Sequence, residues 1–167
     1  WLPESRARDL EHLIPVRDWQ RAGAIILTPG DVIDYGYIRS EFRRLSELFD
    51  IQELAYDPKF AEETTQTLEQ GTTDDAGKVL ETGTGVPRFV FAQNDQNFAA
   101  PTADFERLVI AGKLHHNGHP VLTWQAGHVQ VYHKPIAKVD RIVSPKHSDV
   151  KTVDGIIAAV MAIARAR

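Results

Sequence analysis

Short apolar runs that are typical of β-strands alternate along this chain with segments whose apolar residues recur at helical spacing. Such an alternation predicts an α/β fold in which helices cover a partly parallel sheet. No repeat, low-complexity stretch or linker divides the sequence, so a single domain over residues 1–167 is expected. The predicted strands are 22–28, 51–57 and 88–93, and the predicted helices run from a cap at Asp31 through Phe49, from about 59 to 70, from 101 to 114, from 121 to 128 and from 152 to 166.

The segments between these elements are expected to be irregular or paired. Residues 1–20 are interpreted as an irregular arm anchored by its two tryptophans, and residues 71–87, with five glycines or prolines, as a loop. Residues 129–132 could pair with 140–143 as a hairpin across a basic linker. The side chains predicted to face inward are Ile38, Phe42, Leu45, Leu48 and Phe49 on the first helix, Phe105, Leu108 and Val109 on the third, and Val153, Ile156, Ile157, Val160 and Ile163 on the last.

Composition excludes several classes of protein. The chain has no cysteine, which excludes disulfides, thiolate zinc sites and a cysteine nucleophile. No apolar run approaches the ~20 residues of a membrane span and no signal-peptide pattern is present, so we expect a soluble protein of a reducing compartment. The net charge of −4 means that any site for nucleic acid must be a local patch. Residue 1 is Trp and the only Met is Met161, so the chain is expected to be a piece of a longer protein.

Basic side chains concentrate in residues 134–151. Five Lys or Arg stand there against two Asp, a net charge of +3, whereas the rest of the chain carries −7. A solvated loop is the default interpretation, but a hairpin whose lysines lead into an acidic site also suits a phosphate backbone, which is contacted largely without regard to sequence. The cations of this basic tract are Lys134, Lys138, Arg141, Lys146 and Lys151.

Two aspartates stand where a carboxylate serves either structure or chemistry. Asp57 ends a predicted strand, where open α/β sheets place their ligands, but an Asp followed by a Pro is also a common helix cap. Asp154 lies in the first turn of the last helix, where a carboxylate complements the helix dipole. If the fold brought the two together, their oxygens could hold Mg²⁺ or Mn²⁺, and such a pair suits phosphodiester hydrolysis by two ions.

Two other motifs are weaker candidates, and a third motif is absent. His115, His116 and His119 lack the helical i, i+4 spacing that aims two imidazoles at one ion, which favours a surface turn over a metal site. Residues 71–78 resemble a phosphate-binding loop, but five residues separate the glycines instead of four, and Val79 replaces the Ser or Thr that would hold Mg²⁺. The chain has no Gly-x-Ser-x-Gly motif, which argues against a serine hydrolase.

The order of several short blocks along the chain is more specific than any one of these motifs. The blocks are Trp-Leu-Pro-Glu at 1–4, Thr-Pro-Gly-Asp-Val-Ile-Asp-Tyr at 28–35, Ala-Tyr-Asp-Pro at 55–58 with Ala61, Gly-Lys-Leu at 112–114 followed by His116, Gly118, Pro-Val-Leu at 120–122 and Trp124, Ser-Pro-Lys at 144–146, and Val-Asp-Gly-Ile-Ile-Ala at 153–158 followed by Met-Ala at 161–162.

In this order, over nearly the whole chain, the blocks resemble the C-terminal nuclease domain of the tailed-phage terminase large subunit. The resemblance implies a ribonuclease H-like mixed sheet flanked by helices, and a Mg²⁺- or Mn²⁺-dependent endonuclease that cuts concatemeric double-stranded DNA. It also implies that the protein works in the host cytoplasm with its own ATPase domain, the small terminase subunit and the portal as partners. Asp57 and Asp154 match two of the family's metal-binding aspartates, whereas the family's first-strand aspartate has no counterpart here.

The primary hypothesis is therefore a terminase nuclease domain that lacks its first strand. In it Asp57 and Asp154 would bind the metal ions, and Lys146, Lys151 and Arg141 would contact DNA. Because one ligand is missing, we expect weak metal affinity and little or no cleavage by these residues alone. The alternative is a non-catalytic DNA-binding or assembly module, which is favoured if the two aspartates lie far apart. A third hypothesis, a small-molecule enzyme built around the 71–87 loop, requires that loop to wrap a phosphate at a helix N-terminus.

Overall fold

The structure is a computed structural model that describes residues 1–134, 139–143, 145, 148 and 150–166. Strands and helices alternate along much of the chain, which confirms the expected α/β class. The strands are β1 (Leu2–Pro3), β2 (Leu27–Thr28), β3 (Leu54–Tyr56), β4 (Gly71–Thr73), β5 (Val79–Thr82), β6 (Arg88–Val90), β7 (Gln130–Lys134) and β8 (Val139–Val143). The helices are α1 (Glu4–Leu10), α2 (Val16–Arg21), α3 (Tyr35–Leu48), α4 (Pro58–Gln70), α5 (Asp95–Ile110), α6 (Pro120–Ala126) and α7 (Asp154–Arg165).

The strands of the described residues pair two by two. The β1–β2 and β3–β6 pairs are parallel, and the β4–β5 and β7–β8 pairs are antiparallel. In the β3–β6 pair, Leu54 lies opposite Arg88 and Tyr56 lies opposite Val90. The β7–β8 pair confirms the predicted hairpin on either side of the basic linker, with Gln130 opposite Val143.

The contacts divide the chain into two compact units. Residues 33–92 form one, and residues 1–32 form the other together with the chain from 93 onward. In the latter, α7 packs on α5 and α6, and α5 lies against β8. Its buried apolar side chains are Ala7, Leu10, Val16, Trp19, Phe98, Ile142, Val153, Ile156, Ile157, Val160 and Met161. In the 33–92 unit the buried apolar side chains are Tyr56, Leu68 and Phe91.

The prediction of an irregular arm over residues 1–20 is wrong, because this stretch contains β1, α1 and α2. Ala7 and Leu10 lie one turn apart and are both buried, as are Val16 and Trp19, so each short helix buries one face. Trp19 packs edge-on against Trp124, with ring centroids 5.6 Å apart. The predicted strand at 22–28 shrinks to Leu27–Thr28, which pairs with β1.

The predicted loop over residues 71–87 is also wrong in its first part, which is the β4–β5 hairpin. The turn is closed by hydrogen bonds from Gly77 N to Asp74 O (3.0 Å) and from Asp74 N to Lys78 O (2.9 Å), with Gly77 in the left-handed region. The Gly and Asp content therefore marks a tight turn between two strands rather than an open loop. Because β6 follows the hairpin, these residues do not precede a helix N-terminus, which the third hypothesis required.

Glu81 of this hairpin holds it to α3. Its carboxylate accepts hydrogen bonds from Arg39 (2.8 and 2.9 Å) and from Arg43 Nη2 (2.6 Å). These bonds, first from Arg39 and then from Arg43, hold the pKa of Glu81 below its ordinary value. Arg43 also donates to the main-chain oxygen of Thr82, at 3.0 Å.

Two helix starts differ from prediction for the same reason, which is the choice of N-cap. Asp34 rather than Asp31 caps α3, with its side chain accepting from Gly36 N at 2.7 Å. Asn94 caps α5 by accepting from Asn97 N at 2.9 Å, so α5 begins well before Pro101, which is buried inside the helix. An Asn or Asp side chain that satisfies a free N–H outweighs the preference of Pro for the first turn.

The predicted apolar faces are confirmed in the last helix and only partly elsewhere. Val153, Ile156, Ile157 and Val160 are buried at α7, as expected. Val109 of α5, predicted to face inward, is 51% exposed. On the first predicted helix, Ile38, Phe42 and Leu45 are half-buried, whereas Leu48 and Phe49 are 61% and 64% exposed.

Candidate functional site

Asp57 joins the end of β3 to the start of α4. Its Oδ1 accepts a hydrogen bond from Lys59 N at 3.0 Å, and Pro58 occupies the first helical position, where a missing N–H costs nothing. Asp57 is half-buried, and its Oδ2 has no hydrogen-bond partner among the described residues. The structural role that the sequence predicted for Asp57, a helix cap, is therefore confirmed, and one carboxylate oxygen remains for a ligand.

A network of charges lies directly beside Asp57 in the same unit. The Tyr56 hydroxyl donates to Glu62 at 2.6 Å, and Arg88 of β6 donates to Glu62 at 2.6 Å and to Glu69 at 2.9 Å. The hydrogen bond to Glu62 raises the pKa of Tyr56, and the hydrogen bonds from Tyr56 and then Arg88 lower the pKa of Glu62. The network ties α4 to both strands of the parallel pair, and so fixes the turn that carries Asp57.

Asp154 is the first residue of α7 and belongs to the unit formed by residues 1–32 and 93 onward, whereas Asp57 belongs to the 33–92 unit. It is exposed, and it makes no hydrogen bond or ion pair with the described residues. The residue before it, Val153, is the N-cap and has no side chain that can cap the helix. The first turn is instead held by Gln125 of α6, whose Oε1 accepts from Gly155 N at 2.9 Å.

Arg141 and Asp154 line one cavity of about 260 Å³, together with Gln93, Phe98, Ile142, Val143 and Ile157. Arg141 reaches it from β8 and donates to the Gln93 main-chain oxygen at 2.9 Å. Its Nε lies 3.4 Å from Asp95 Oδ1, close enough for an ion pair but without a hydrogen bond to that oxygen. The cavity thus places a guanidinium and a carboxylate, both predicted as site residues, around one polar space.

Of the two lysines predicted to contact DNA, the structure describes Lys151. Lys151 is exposed, and its main-chain N–H donates to Ser148 Oγ at 3.0 Å. Lys151 also lines a cavity of about 540 Å³ whose other polar side chains include His128 and Gln130. Lys146 lies outside the described residues.

The histidine-rich turn has the surface position that its spacing favoured. His115 and His116 are exposed, and His116 Nδ1 accepts from Gly118 N at 3.0 Å. Within the described ranges, no group of three or more His, Asp or Glu side chains could hold a metal ion. No helix in the same residues is long and apolar enough to cross a membrane.

Sequence reasoning missed Gln125 and Asp95. Gln125 sits in a short segment with no capping motif, and its partner Gly155 is 30 positions away along the chain. Asp95 precedes the predicted start of the third helix at residue 101, whereas in the structure it occupies the first turn of α5. The signal that could have indicated this earlier start is Asn94, a favoured N-cap residue, followed by the carboxylate of Asp95 in the first turn.

Comparison with known proteins gives a consistent result. The model of a family described as "Terminase large subunit, endonuclease domain" matches residues 7–167. Protein YmfN of Escherichia coli (strain K12) is 29% identical over 149 residues, which cover 89% of this chain and 30% of YmfN. The large terminase subunit of Enterobacteria phage HK97 is 24% identical over 168 residues, which cover 99% of this chain and 31% of that protein.

The fold agrees with a solved structure as well. The crystal structure of the HK97 bacteriophage large terminase matches with a TM-score of 0.79 at 22% identity, over 99% of this chain and 32% of that one. This chain therefore spans less than a third of the length of these relatives.

Proposed function

The chain belongs to the family of terminase large-subunit endonuclease domains, and we propose that it provides a metal-dependent centre for cutting DNA during viral genome packaging. The substrate is concatemeric double-stranded DNA, and the fold is the ribonuclease H-like one. In the whole protein, the partners are its own ATPase domain, the small terminase subunit and the portal, in the host cytoplasm. The family match supports this proposal because it covers residues 7–167 and so includes both predicted site aspartates.

The metal ligands of the proposal are Asp57 and Asp154, with Mg²⁺ or Mn²⁺ as the ion. Their chemistry fits such an ion, since both cations prefer oxygen ligands and keep several waters. Their surroundings fit as well: Asp57 retains Oδ2 beside its capping bond, and Asp154 has no hydrogen bond or ion pair within the described part of the chain. Two separate observations support the proposal: within the described residues, Asp57 Oδ2 at the end of β3 and the Asp154 carboxylate at the start of α7 are both without a hydrogen-bond partner.

The residues of this chain would act mainly by holding and orienting. When bound, the ions would supply positive charge that stabilises the attacking and leaving oxygens of phosphodiester hydrolysis. Arg141, which shares a cavity with Asp154, would hold a phosphate beside that carboxylate. Lys151 and Lys146 would contact the DNA backbone. Hydrolysis adds water across one phosphodiester bond, so one new end keeps the phosphate and the other a hydroxyl.

The test measures Mn²⁺ binding first and cleavage second. We expect calorimetry on the 167-residue chain to show weak binding that is lost in both Asp57→Asn and Asp154→Asn. Asp34→Asn is the matched control, because Asp34 caps α3 as Asp57 caps α4 and has no proposed metal role. Binding or Mn²⁺-dependent nicking of plasmid DNA that survives both substitutions would refute the assignment of both ligands.

The alternative, a non-catalytic DNA-binding or assembly module, is favoured by one observation. The cap at Lys59 N gives Asp57 a structural reason to be present without any metal. This alternative predicts that the chain binds duplex DNA with the same affinity whether or not Mn²⁺ is present, and that neither aspartate substitution alters that affinity.

A further inference from the structure

The first turn of α7 depends on another helix for its hydrogen bonding. The N–H groups that open a helix have no partner inside it, and the N-cap Val153 offers no side-chain acceptor. Ile156 N and Ile157 N both donate to Val153 O, at 2.9 and 3.0 Å. The N–H of Gly155 donates instead to Gln125 Oε1, at 2.9 Å.

Gln125 is well placed for this bond because it is itself buried. Only 8% of it is exposed, and its Nε2 lies 3.4 Å from Thr152 Oγ1. One amide from α6 thus reaches both sides of Asp154, to the residue two positions before it and to the residue immediately after it. A buried amide is retained in a core when its hydrogen-bonding groups are satisfied, as both ends of this one are.

Gly155 is the glycine that this contact requires. A Cβ at this position would lie 2.5 Å from Gln125 Oε1 and 3.1 Å from Leu122 Cδ1. Its φ is outside the left-handed region, so the need for glycine comes from the close approach of Gln125 and Leu122 and not from the backbone. The Asp-Gly pair at 154–155 therefore combines an exposed carboxylate with the one residue type that lets Gln125 approach.

We infer that Gln125 is a positioning residue for Asp154, which it orients by holding the first turn of α7 through Gly155 N–H. The inference rests on the proposed function, since it takes Asp154 as a metal ligand. Groups that orient a ligand without touching the ion commonly change metal affinity by 10- to 100-fold when they are removed. Gln125 itself is buried and would touch neither the ion nor DNA.

The experiment compares Gln125→Met with Gln125→Glu in the 167-residue chain. Met has nearly the volume of Gln but only a weakly accepting sulfur in place of the amide oxygen, whereas Glu keeps an oxygen that can accept from Gly155 N. We expect Gln125→Met to weaken Mn²⁺ binding about tenfold or more by calorimetry, and Gln125→Glu to restore most of the loss. Hydrogen exchange at the Gly155 amide, followed by NMR, should accelerate in Gln125→Met and stay near the wild-type rate in Gln125→Glu.

Two further variants separate positioning from a general loss of stability. Val160→Ala removes a fully buried side chain from the same helix, and it should lower the unfolding temperature without changing Mn²⁺ affinity. Gly155→Ala disrupts the same hydrogen bond by placing a Cβ against Gln125 Oε1, and it should weaken Mn²⁺ binding as Gln125→Met does. It also serves as the second variant if Gln125→Met does not fold.

The outcomes distinguish this inference from the function on which it rests. If Asp154→Asn leaves Mn²⁺ binding unchanged, the assignment of Asp154 fails and the inference fails with it. If Asp154→Asn weakens binding while Gln125→Met and Gly155→Ala do not, the inference alone is overturned. An affinity loss in Val160→Ala as large as that in Gln125→Met would also overturn it, because any destabilisation of α7 would then be sufficient.

Discussion

At the scale of single residues, the two candidate metal ligands stand at helix starts that are built in opposite ways. Asp57 caps its own helix through Lys59 N, so its carboxylate serves the fold whatever else it does. Asp154 caps nothing, and its helix is held by Gln125 instead. A loss of function at Asp57 is therefore ambiguous until the cap is separated from the charge.

Substituting Asp57 in two ways makes that separation. Asp57→Ala should cost about 1 kcal/mol of unfolding free energy, because the cap of α4 is lost, whereas Asp57→Asn should cost little, since Asn caps nearly as well as Asp. Urea unfolding followed by circular dichroism measures both. Asp34→Ala and Asp34→Asn should give the same pattern at α3. If Asp57→Asn costs as much as Asp57→Ala, the carboxylate charge and not the cap accounts for the loss.

Residue-scale features are also where prediction from sequence worked best and failed most clearly. The Asp57-Pro58 cap is visible in the sequence because it is a contact between neighbours in the chain. Gln125 is invisible because its partner is far away and a Gln in a short helix has no special signal. Local patterns report local hydrogen bonds, and a cap provided by another helix is not local.

At the scale of elements, the β4–β5 hairpin shows how glycines can be misinterpreted. Gly71 and Gly77 both have φ near +78°, yet only one is crowded. A Cβ on Gly71 would lie 2.4 Å from Glu81 O and 2.6 Å from Gly83 N, whereas a Cβ on Gly77 would meet nothing within 4 Å. Gly71 is therefore required both because a Cβ would clash and because its φ is positive, whereas Gly77 is required only because its φ is positive.

These two glycines give a matched pair of substitutions. Gly77→Ala should cost about 1–2 kcal/mol, the penalty for an L-residue in the left-handed region. Gly71→Ala should cost clearly more, because the Cβ also meets main-chain atoms that cannot move aside cheaply. Thermal unfolding of the two variants against wild type measures the difference. Equal costs would contradict the close approach of β5 to Gly71.

The stability that the bonds from Arg39 and Arg43 to Glu81 contribute, between α3 and this hairpin, should depend on pH. Hydrogen bonds from Arg39 and Arg43 keep the pKa of Glu81 lower in the folded chain than in the unfolded one. Protons therefore bind preferentially to the unfolded state. The contribution of Glu81 to stability is fully present above the ordinary glutamate pKa of about 4.3, and it is lost as the pH falls through the lowered value.

The measurement is thermal unfolding of wild type and Glu81→Gln between pH 7 and pH 3. The stability difference should be largest at neutral pH and should shrink as the solution becomes acidic. Glu47→Gln removes an exposed carboxylate from α3 and controls for the change in net charge. A difference that stays constant over this range would mean that the charge of Glu81 contributes nothing to stability.

At the scale of the whole molecule, the chain is acidic and its candidate DNA contacts are concentrated in one tract. Binding should therefore be sensitive to salt and indifferent to sequence. Lys151→Ala should lower the slope of log affinity against log salt concentration by about 0.9, and to the same extent on unrelated duplexes. Lys113→Ala is the control, since Lys113 is exposed but lies outside residues 134–151. A slope change at Lys113 and none at Lys151 would place the DNA elsewhere.

The α/β class, the 129–143 hairpin, the apolar face of α7 and the family can be inferred from the amino-acid sequence, because periodicity and ordered blocks are properties of the chain. Three features become visible only in the folded chain: the short helices within the first twenty residues, the hairpin at 71–82, and the cap that Gln125 provides for α7. The long-range contacts of these elements are Trp19 on Trp124 for the short helices, Glu81 with Arg39 for the hairpin, and Gln125 with Gly155 for the cap. A hydrogen bond between residues far apart in the chain leaves no periodic trace, because its energy is realised only after the chain has folded.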